Sequence, residues 1–281
     1  MQGKICLITG ATDGIGKQTA LDLAKMGAHV VLVGRNQSKT ETAVADIKQK
    51  SGNVQVDYLL ADFSSQAQTR QLVANYLAKY DRLDVLINNA GLIAMSRQET
   101  EDGLEMMFGV NHIGYFLLTT LLLDLIMQSE NGRIVNVASD AHGGVGLNFD
   151  DLQNKNGFSS LRVYGQSKLA NIYFTYELSR RLVDSPVTVN CLHPGFVATN
   201  MGANNIPYIG KAIKKVLNLF AGKNVKDGAA TSVYLASSPE VAHVTGKYFI
   251  SCRPVQSSDV SYDEGVAKQL WEVSERIISE S

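Results

Sequence analysis

The segment Thr9-Gly-Ala-Thr-Asp-Gly-Ile-Gly16 joins a short apolar run, residues 5–8, to a stretch with the apolar spacing of a helix. At such a strand-to-helix turn, Gly10 permits the tight turn, Gly14 lets the backbone approach a ligand, and Gly16 lets the helix pack near the strand. The helix N-terminus then offers free N–H groups and a partial positive charge. The segment therefore predicts a pyrophosphate site, and a tight turn without a ligand is the alternative.

Outside this turn, apolar strands and helices alternate along the chain. Strands are predicted at residues 5–8, 30–33, 54–60, 85–87, 133–137, 187–192 and 247–250. Helices are predicted from residue 15 to a stop at Gly27, and at 38–51, 66–80, 99–129, 161–183, 226–237 and 263–279. Near-continuously apolar strands, each followed by a helix, indicate a parallel sheet covered on both faces, with right-handed crossovers. We therefore expect an α/β protein: a single doubly wound Rossmann domain over residues 1–281, with a central parallel sheet flanked by helices and a variable segment near 200–225.

Composition excludes several classes of protein. The chain has 281 residues, of which 45% are hydrophobic and 19% charged, and this excludes disordered and collagen-like proteins. A net charge of -1 gives no electrostatic reason to expect a nucleic-acid partner. Three cysteines are too few for a disulfide framework, so we expect reduced thiols at Cys6, Cys191 and Cys252.

The apolar stretches also bear on location. The sequence enters an apolar strand almost at once, which leaves no room for a signal peptide. The longest apolar stretch, residues 115–127, contains Thr119, Thr120 and Asp124 and is too short to span a bilayer. We therefore expect a soluble, cytoplasmic protein with no transmembrane segment.

Further motifs follow the glycine turn in a fixed order. They are Asn88-Asn-Ala-Gly91 after the fourth strand, Ser139 after the fifth, Tyr164-Gly-Gln-Ser-Lys168 in a long helix, and Pro194-Gly195 after the sixth strand. Together with the spacing G-x-x-x-G-x-G, they resemble the short-chain dehydrogenase/reductase family over nearly the whole chain. Smaller motifs resemble its retinol dehydrogenase-like branch: Thr100-Glu-Asp-Gly-Leu-Glu105, Val110-Asn-His-Ile-Gly114 and Ser167-Lys-Leu-Ala-Asn171. The resemblance implies an NAD(P)-dependent oxidoreductase that acts on CH–OH and C=O groups.

The turn after the second strand bears on the choice of cofactor. It reads Val33-Gly-Arg-Asn36, with no acid for a ribose 2′-hydroxyl and with Arg35 placed for a 2′-phosphate. An acid at Asp13 would repel that phosphate, but we favour NADPH over NADH. Asp62, after the third strand, resembles the family residue near the adenine, and it also suits a helix cap.

The resemblance assigns cofactor contacts residue by residue. Lys168 would hold the nicotinamide ribose hydroxyls, and Val197 and Thr199 would hold the carboxamide. The full set comprises Gly10, Thr12, Asp13, Gly14, Ile15, Gly16, Arg35, Asn36, Asp62, Phe63, Asn89, Ala90, Gly91, Tyr164, Lys168, Pro194, Gly195, Val197 and Thr199.

Four residues are predicted to be catalytic. Tyr164 and Lys168 have i,i+4 spacing and share one helix face, where a nearby ammonium, with help from the charge of the oxidised nicotinamide, favours phenolate and lowers the phenol pKa towards 7. Tyr164 would then act as acid and base, and Ser139 would hydrogen-bond the reacting oxygen. The resemblance adds Asn111, which would support a water chain to the lysine. Each residue has a structural alternative: an exposed pair for Tyr164 and Lys168, a turn cap for Ser139 and a buried amide for Asn111.

Other candidate groups carry weaker signals. None of the five histidines pairs with Cys, Asp or Glu at a metal-ligand spacing, so no catalytic metal is predicted. His142 is expected to be an exposed loop residue rather than part of a substrate pocket. Residues 204–223 combine an apolar stripe with lysines, which suits a helix packed on the body, a substrate lid or a membrane-surface contact.

The leading functional prediction is an NADPH-dependent carbonyl reductase, or the reverse alcohol dehydrogenase, for bulky apolar and retinoid-like substrates. One alternative is a C=C reductase, although relatives of that type carry a cysteine where this chain has Phe196. Another is an NADP(H)-sensing module without turnover. Relatives often dimerise through the counterparts of helices 99–129 and 161–183, so a homodimer is expected as readily as a monomer.

Overall fold

The computed structural model describes residues 1–195 and 224–280, and within them eight strands form one sheet. The strands are β1 (Ile5–Thr9), β2 (His29–Gly34), β3 (Val56–Leu60), β4 (Val85–Asn88), β5 (Arg133–Val137), β6 (Thr188–His193), β7 (Tyr248–Ile250) and β8 (Arg253–Val255). The longer helices are α1 (Gly14–Lys25), α2 (Gln37–Ser51), α3 (Gln66–Lys79), α4 (Met106–Met127), α5 (Ser160–Arg181), α6 (Val225–Ser237) and α7 (Glu264–Ser279).

The strand order is β3-β2-β1-β4-β5-β6-β7-β8, and every neighbouring pair is parallel except β7 with β8. This arrangement confirms the predicted α/β fold with a doubly wound sheet. The order reverses between β1 and β4, because the chain first adds strands on one side of β1 and then on the other. Ligands of such sheets bind in the crevice at the carboxyl ends of the strands at this point.

Both faces of the sheet are covered. In β1, Cys6 and Ile8 pack into the core under α1, α2 and α6, whereas Leu7 packs into the core under α3, α4 and α5. All three side chains are fully buried. Burial on both faces is the reason that the central strands read as continuous apolar runs rather than as alternating ones.

Helix α4 differs from its prediction. The segment predicted to be helical from residue 99 instead makes a bridge between Glu99 and Glu105, and α4 begins at Met106. Its backbone widens to a π-helical turn over Gly109–Ile113. The 22 residues Met106–Met127 are long and apolar enough to cross a membrane by length and composition, with a mean hydropathy of 1.5. Within the fold, 67% of the apolar window is buried, which is the pattern of a core helix.

The edge strand β8 was not predicted. All three of its residues are exposed, so no apolar pattern marks it. Its turn is tight, because Ser251 and Cys252 adopt φ values of 52° and 61°. Pro254 is tolerated there because an edge strand does not need every N–H group for pairing. The three thiols are free of disulfide bonds: Cys6 and Cys191 are buried, whereas Cys252 is partly exposed.

Candidate active site

The glycine turn is held against the end of β4. Gly10 adopts a φ of +63°, and a Cβ there would lie 2.8 Å from Ala90 Cα. A Cβ on Gly16 would lie 2.5 Å from the Gly10 carbonyl oxygen and would overlap the side chain of Asn89. Both positions therefore require glycine, as the sequence predicted. Asp13 caps α1 by accepting a 2.7 Å hydrogen bond from the Gly14 backbone N–H.

Thr9 and Asn89 join the ends of β1 and β4. The Thr9 hydroxyl oxygen accepts hydrogen bonds from the backbone N–H groups of Asn89 and Ala90 at 2.8 and 2.9 Å. The Asn89 amide in turn donates to the Thr9 carbonyl oxygen at 2.8 Å. Asn89 was predicted to contact the cofactor, and its side chain is used here to hold the glycine turn in place.

An open cleft lies where the strand order reverses. It gathers seven of the residues predicted to bind the cofactor: Gly10, Thr12, Arg35, Asp62, Phe63, Ala90 and Gly91. Val33, Gly34, Ala61, Leu92 and Val110 complete its lining. Pro194 and Gly195 follow β6 at the same edge of the sheet. Val197, Thr199, Phe196 and the segment 204–223 lie outside the described residues.

The rim of the cleft after β2 carries a cation. Arg35 is 64% exposed, and its guanidinium nitrogen lies 3.6 Å from a carboxylate oxygen of Asp62. The other Asp62 oxygen accepts hydrogen bonds from the Ser64 N–H and hydroxyl at 3.0 and 2.9 Å, so Asp62 caps the turn before α3. Asn36 caps α2 by accepting from the Lys39 N–H at 3.0 Å. The rim therefore offers an accessible guanidinium with one carboxylate beside it.

Tyr164 and Lys168 come together beside Gly91, a residue that lines this cleft, rather than forming an exposed pair. Lys168 is 2% exposed, and its ammonium donates a 3.1 Å hydrogen bond to the Val137 carbonyl oxygen. The Lys168 nitrogen also lies 5.7 Å from the centre of the Tyr164 ring. A Cβ on Gly91 would lie 3.4 Å from the same nitrogen, which places the end of β4 beside the lysine.

Burial sets the pKa of both Tyr164 and Lys168 in the protein without cofactor. Burial raises the pKa of Tyr164 to about 12, although a hydrogen bond with Ser139 acts in the opposite direction. Burial also lowers the pKa of Lys168 to about 7. The predicted lowering of the phenol pKa towards 7 includes the charge of the oxidised nicotinamide, so it stays a prediction for the protein with bound cofactor. The structure nevertheless brings Ser139 and Tyr164 into contact, as predicted.

Ser139 combines its predicted role with the structural alternative. It is 8% exposed and caps the short 3-10 turn Asp140–His142, where its hydroxyl oxygen accepts from the Ala141 N–H at 3.2 Å. The same hydroxyl lies 3.2 Å from an oxygen of Asp140 and hydrogen-bonds Tyr164. The cap fixes the backbone while the hydroxyl stays beside the phenol.

Asn111 lies in the π-helical turn and is fully buried. Its amide oxygen accepts from the Leu92 N–H at 2.8 Å, and its amide nitrogen donates to the Leu92 carbonyl and the Ser167 hydroxyl, both at 3.0 Å. These contacts fit the structural alternative, since they fasten the segment after Gly91. The water chain to the lysine stays a prediction.

Two residues near the site were missed or misjudged from the sequence. Tyr115 follows Asn111 by one helical turn, and its ring centre lies 5.7 Å from the Lys168 nitrogen, with a buried hydroxyl that has no partner among the described residues. Burial and the nearby Tyr164 raise the pKa of Tyr115. His142 is not an exposed loop residue: it is 5% exposed, because its ring is enclosed by Tyr248 and the chain near Ser258.

An apolar wall adjoins Tyr164. Ala94, Met107 and Val163 are buried together, and Leu92, Ile93, Phe158 and Tyr164 pack against them. Tyr164 is therefore in contact with an apolar surface. Across residues 1–195 and 224–280, no group of three or more His, Cys, Asp or Glu side chains is arranged to hold a metal ion.

Comparison with known proteins gives consistent relatives. The family model for short chain dehydrogenases matches residues 4–208. Retinol dehydrogenase 14 from Homo sapiens is 41% identical over 292 residues, which cover 99% of this chain and 87% of that protein. Polyprenol dehydrogenase from Homo sapiens is 39% identical, with 96% and 84% covered. Short-chain dehydrogenase TIC 32 A, chloroplastic, from Brassica napus is 39% identical, with 97% and 88% covered.

Solved structures share the same fold. A crystal structure of a protein from Mycobacterium Paratuberculosis superposes with a TM-score of 0.79 at 31% identity and covers 99% of this chain and 94% of that one. A short chain dehydrogenase from Escherichia coli CFT073, complexed with NADPH, gives a TM-score of 0.70 at 26% identity, with 90% and 98% covered.

Proposed function

The chain belongs to the short-chain dehydrogenase/reductase family, in its retinol dehydrogenase-like branch, and we propose that it reduces bulky apolar aldehydes and ketones with NADPH. It is an NAD(P)-dependent oxidoreductase that acts on CH–OH and C=O groups. The observation that carries the proposal is the meeting of Ser139, Tyr164 and Lys168 beside the cleft where the strand order reverses.

The residues of the cleft fit a dinucleotide. The space beside Gly10 and Gly16 is too close for any side chain, which is the form of a turn that lets a pyrophosphate reach the backbone. The N-terminus of α1 would add N–H groups and a partial positive charge. Lys168 would hold the ribose next to the nicotinamide. When bound, the cofactor supplies the hydride for the carbonyl carbon.

Three observations support NADPH over NADH. No acid follows β2, and the exposed guanidinium of Arg35 stands at the rim, where a 2′-phosphate would form charge-assisted hydrogen bonds. The carboxylate of Asp13 caps α1, and the partial positive charge of that helix end offsets its repulsion. A structural relative was solved with NADPH.

The side chains suit proton transfer to a carbonyl oxygen. A phenol with a pKa of about 12 keeps its proton at neutral pH, so Tyr164 is ready to act as an acid. Ser139, hydrogen-bonded to Tyr164, would donate to the same oxygen and stabilise the charge that develops there. In the reverse reaction, oxidation of an alcohol, the deprotonated Tyr164 would act as the base.

The substrate class follows from the apolar wall beside Tyr164. Leu92, Ile93 and Phe158 would contact the body of the substrate and exclude water from the reacting oxygen. A bulky apolar carbonyl compound gains the most from such a surface. Retinol dehydrogenase 14 and polyprenol dehydrogenase are named for alcohols with long apolar chains, which supports the same class here.

The test follows NADPH oxidation with a panel of aldehydes and ketones, from short polar ones to retinal, and repeats it with NADH. A Tyr164→Phe variant should lose about 100- to 10,000-fold in kcat, the usual contribution of a positioned acid. Tyr58→Phe is the matched control, because that exposed hydroxyl contacts Glu41 and neither residue lines the cleft. Unchanged turnover in Tyr164→Phe would contradict the proposal.

The products separate the alternatives. An alcohol product identifies a carbonyl reductase, and a saturated carbonyl compound identifies a C=C reductase. Tight NADPH binding without turnover of any carbonyl compound would instead support a sensing module. We also propose a cytoplasmic location, supported by free thiols typical of a reducing compartment and tested by cell fractionation.

A further inference from the structure

The ring of His142 lies between the catalytic loop and a segment near the C-terminal helix. His142 ends the 3-10 turn that Ser139 caps. Its Nδ1 atom lies 2.6 Å from the Ser139 carbonyl oxygen, and its Nε2 atom lies 3.0 Å from the Ser258 backbone nitrogen. The ring also packs edge-on against Tyr248, with 5.1 Å between centroids. The ring is therefore held on three sides.

The hydrogen bonds decide which ring nitrogen carries the proton. The backbone N–H of Ser258 can only donate, so Nε2 of His142 must accept with its lone pair. The proton then lies on Nδ1, which donates to the Ser139 carbonyl oxygen. Burial lowers the pKa of His142, although the nearby Asp140 acts in the opposite direction, and the ring is neutral at pH 7.

Both ends of this contact reach α5, the helix that carries Tyr164. Beside Ser258, the Ser257 hydroxyl hydrogen-bonds the Tyr176 hydroxyl of α5 at 2.7 Å. On the other side, the Ala141 carbonyl of the catalytic turn lies directly against Gly165 of α5, where a Cβ would overlap it. The backbone of the catalytic turn is thus held between α5 and a segment that is itself attached to α5.

We propose that His142 is a positioning residue, which holds the Ser139 backbone through its Nδ1–H group so that the Ser139 and Tyr164 hydroxyls meet at one substrate oxygen. The inference rests on the proposed reduction. His142 is 5% exposed and is not among the residues that line the cofactor cleft. Its loss should therefore lower kcat and leave NADPH binding unchanged, because the cofactor cleft is lined by residues of β2, of the turns after β1, β2, β3 and β4, and by Val110 of α4.

Two amide substitutions separate the two hydrogen bonds. In His142→Asn, the amide nitrogen takes the place of Nδ1, because both atoms are two bonds from Cβ, and the donor to Ser139 is kept. In His142→Gln, the amide oxygen takes the place of Nε2, because both atoms are three bonds from Cβ, and only the acceptor for Ser258 is kept. We expect kcat to fall about 10- to 100-fold in His142→Gln, the size of a small misplacement of reacting groups. His142→Asn should stay within about threefold of wild type, and the KM for NADPH should be unchanged in both.

A double-mutant cycle tests whether His142 acts through Ser139. His142→Gln in a Ser139→Ala background should cause no further loss of kcat, whereas independent effects would multiply. Multiplied losses, or equal kcat values in His142→Gln and His142→Asn, would overturn the inference. Absence of carbonyl turnover in the wild type would instead overturn the proposed function.

A backbone variant keeps the inference testable if the His142 variants do not fold. Ser258 has a φ of -62°, which proline adopts, so Ser258→Pro removes the N–H donor without demanding another backbone conformation. The ring then loses its hydrogen bond to this segment at Nε2 and is held less firmly against Ser139, so we expect kcat to fall severalfold with an unchanged KM for NADPH. An unchanged kcat in this variant would also overturn the inference.

Discussion

Replacement of the buried Lys168 by methionine should make the protein more stable while it abolishes turnover. Lys168 is 2% exposed, has no carboxylate partner among the described residues, and donates its one described hydrogen bond to the Val137 carbonyl. Burial lowers its pKa from 10.5 to about 7. At about 1.4 kcal/mol per pH unit, this difference places a penalty of about 5 kcal/mol on the buried ammonium. Methionine fills a similar volume without charge.

Relaxation of the site and loss of the Val137 hydrogen bond make the gain in stability smaller than this penalty. We therefore expect the free energy of unfolding at pH 7 to increase by about 1–3 kcal/mol. The melting temperature should rise by about 2–4 °C for each kcal/mol. Urea denaturation monitored by circular dichroism measures the difference. Lys268→Met is the matched control, because Lys268 is exposed on α7 and its replacement should change stability by less than about 0.5 kcal/mol.

The gain should depend on pH in a defined direction. Between about pH 7 and 10.5, the unfolded chain keeps the Lys168 proton and the folded protein releases it, so the stability of the wild type rises with pH. The variant lacks this contribution, and its advantage should shrink from pH 7 towards about pH 10. A variant less stable than wild type at pH 7, or an advantage that does not change with pH, would refute the assigned burial penalty.

Three further perturbations test other parts of the structure. Burial lowers the pKa of His112 from 6.5 to about 4, so the unfolded state binds the extra proton first and stability should fall by about 2 kcal/mol between pH 7 and 5. A His112→Gln variant should show a smaller fall in urea titrations, and an equal fall would contradict this origin. In Gly16→Ala, the new methyl group would overlap the Asn89 side chain and displace the glycine turn. The KM for NADPH should therefore rise at least about tenfold. An unchanged KM would show that the turn does not hold the cofactor. Trp271→Ala removes a ring that contacts Phe116 and Phe174 at centroid distances of 4.9 and 5.9 Å. It should lower the free energy of unfolding in chemical denaturation by about 3–5 kcal/mol. The control Glu272→Ala changes an exposed neighbour and should have little effect.

The parts of the fold that the sequence predicted are those with strong local causes. The central strands were found because burial on both faces makes them continuously apolar, as at Cys6, Leu7 and Ile8. Gly10 and Gly16 were found because a close backbone approach admits no other residue. Strand β8 was missed because its pairing depends on the position of β7 and not on any pattern of its own.

The errors at the site have a different origin. His142 was taken for an exposed residue because Ser258, which encloses it, lies far away along the chain. The spacing of Tyr164 and Lys168 predicted their proximity, but it could not show how deeply they are buried. Only the folded structure shows that burial raises the pKa of the phenol in the protein without cofactor. Asn111 was identified from its motif, but its contacts with Leu92 required the π-helical turn.

Helix α7 has a consequence for the order in which the protein matures. Trp271 is 6% exposed and closes an aromatic cluster with rings from α4 and α5, and Arg181 of α5 covers its outer face at 4.1 Å. During translation, α4 and α5 leave the ribosome well before Trp271, which covers them. The aromatic groove between α4 and α5 therefore stays exposed to water or to a chaperone until α7 has emerged. This part of the tertiary structure is completed only after α7 has been synthesised.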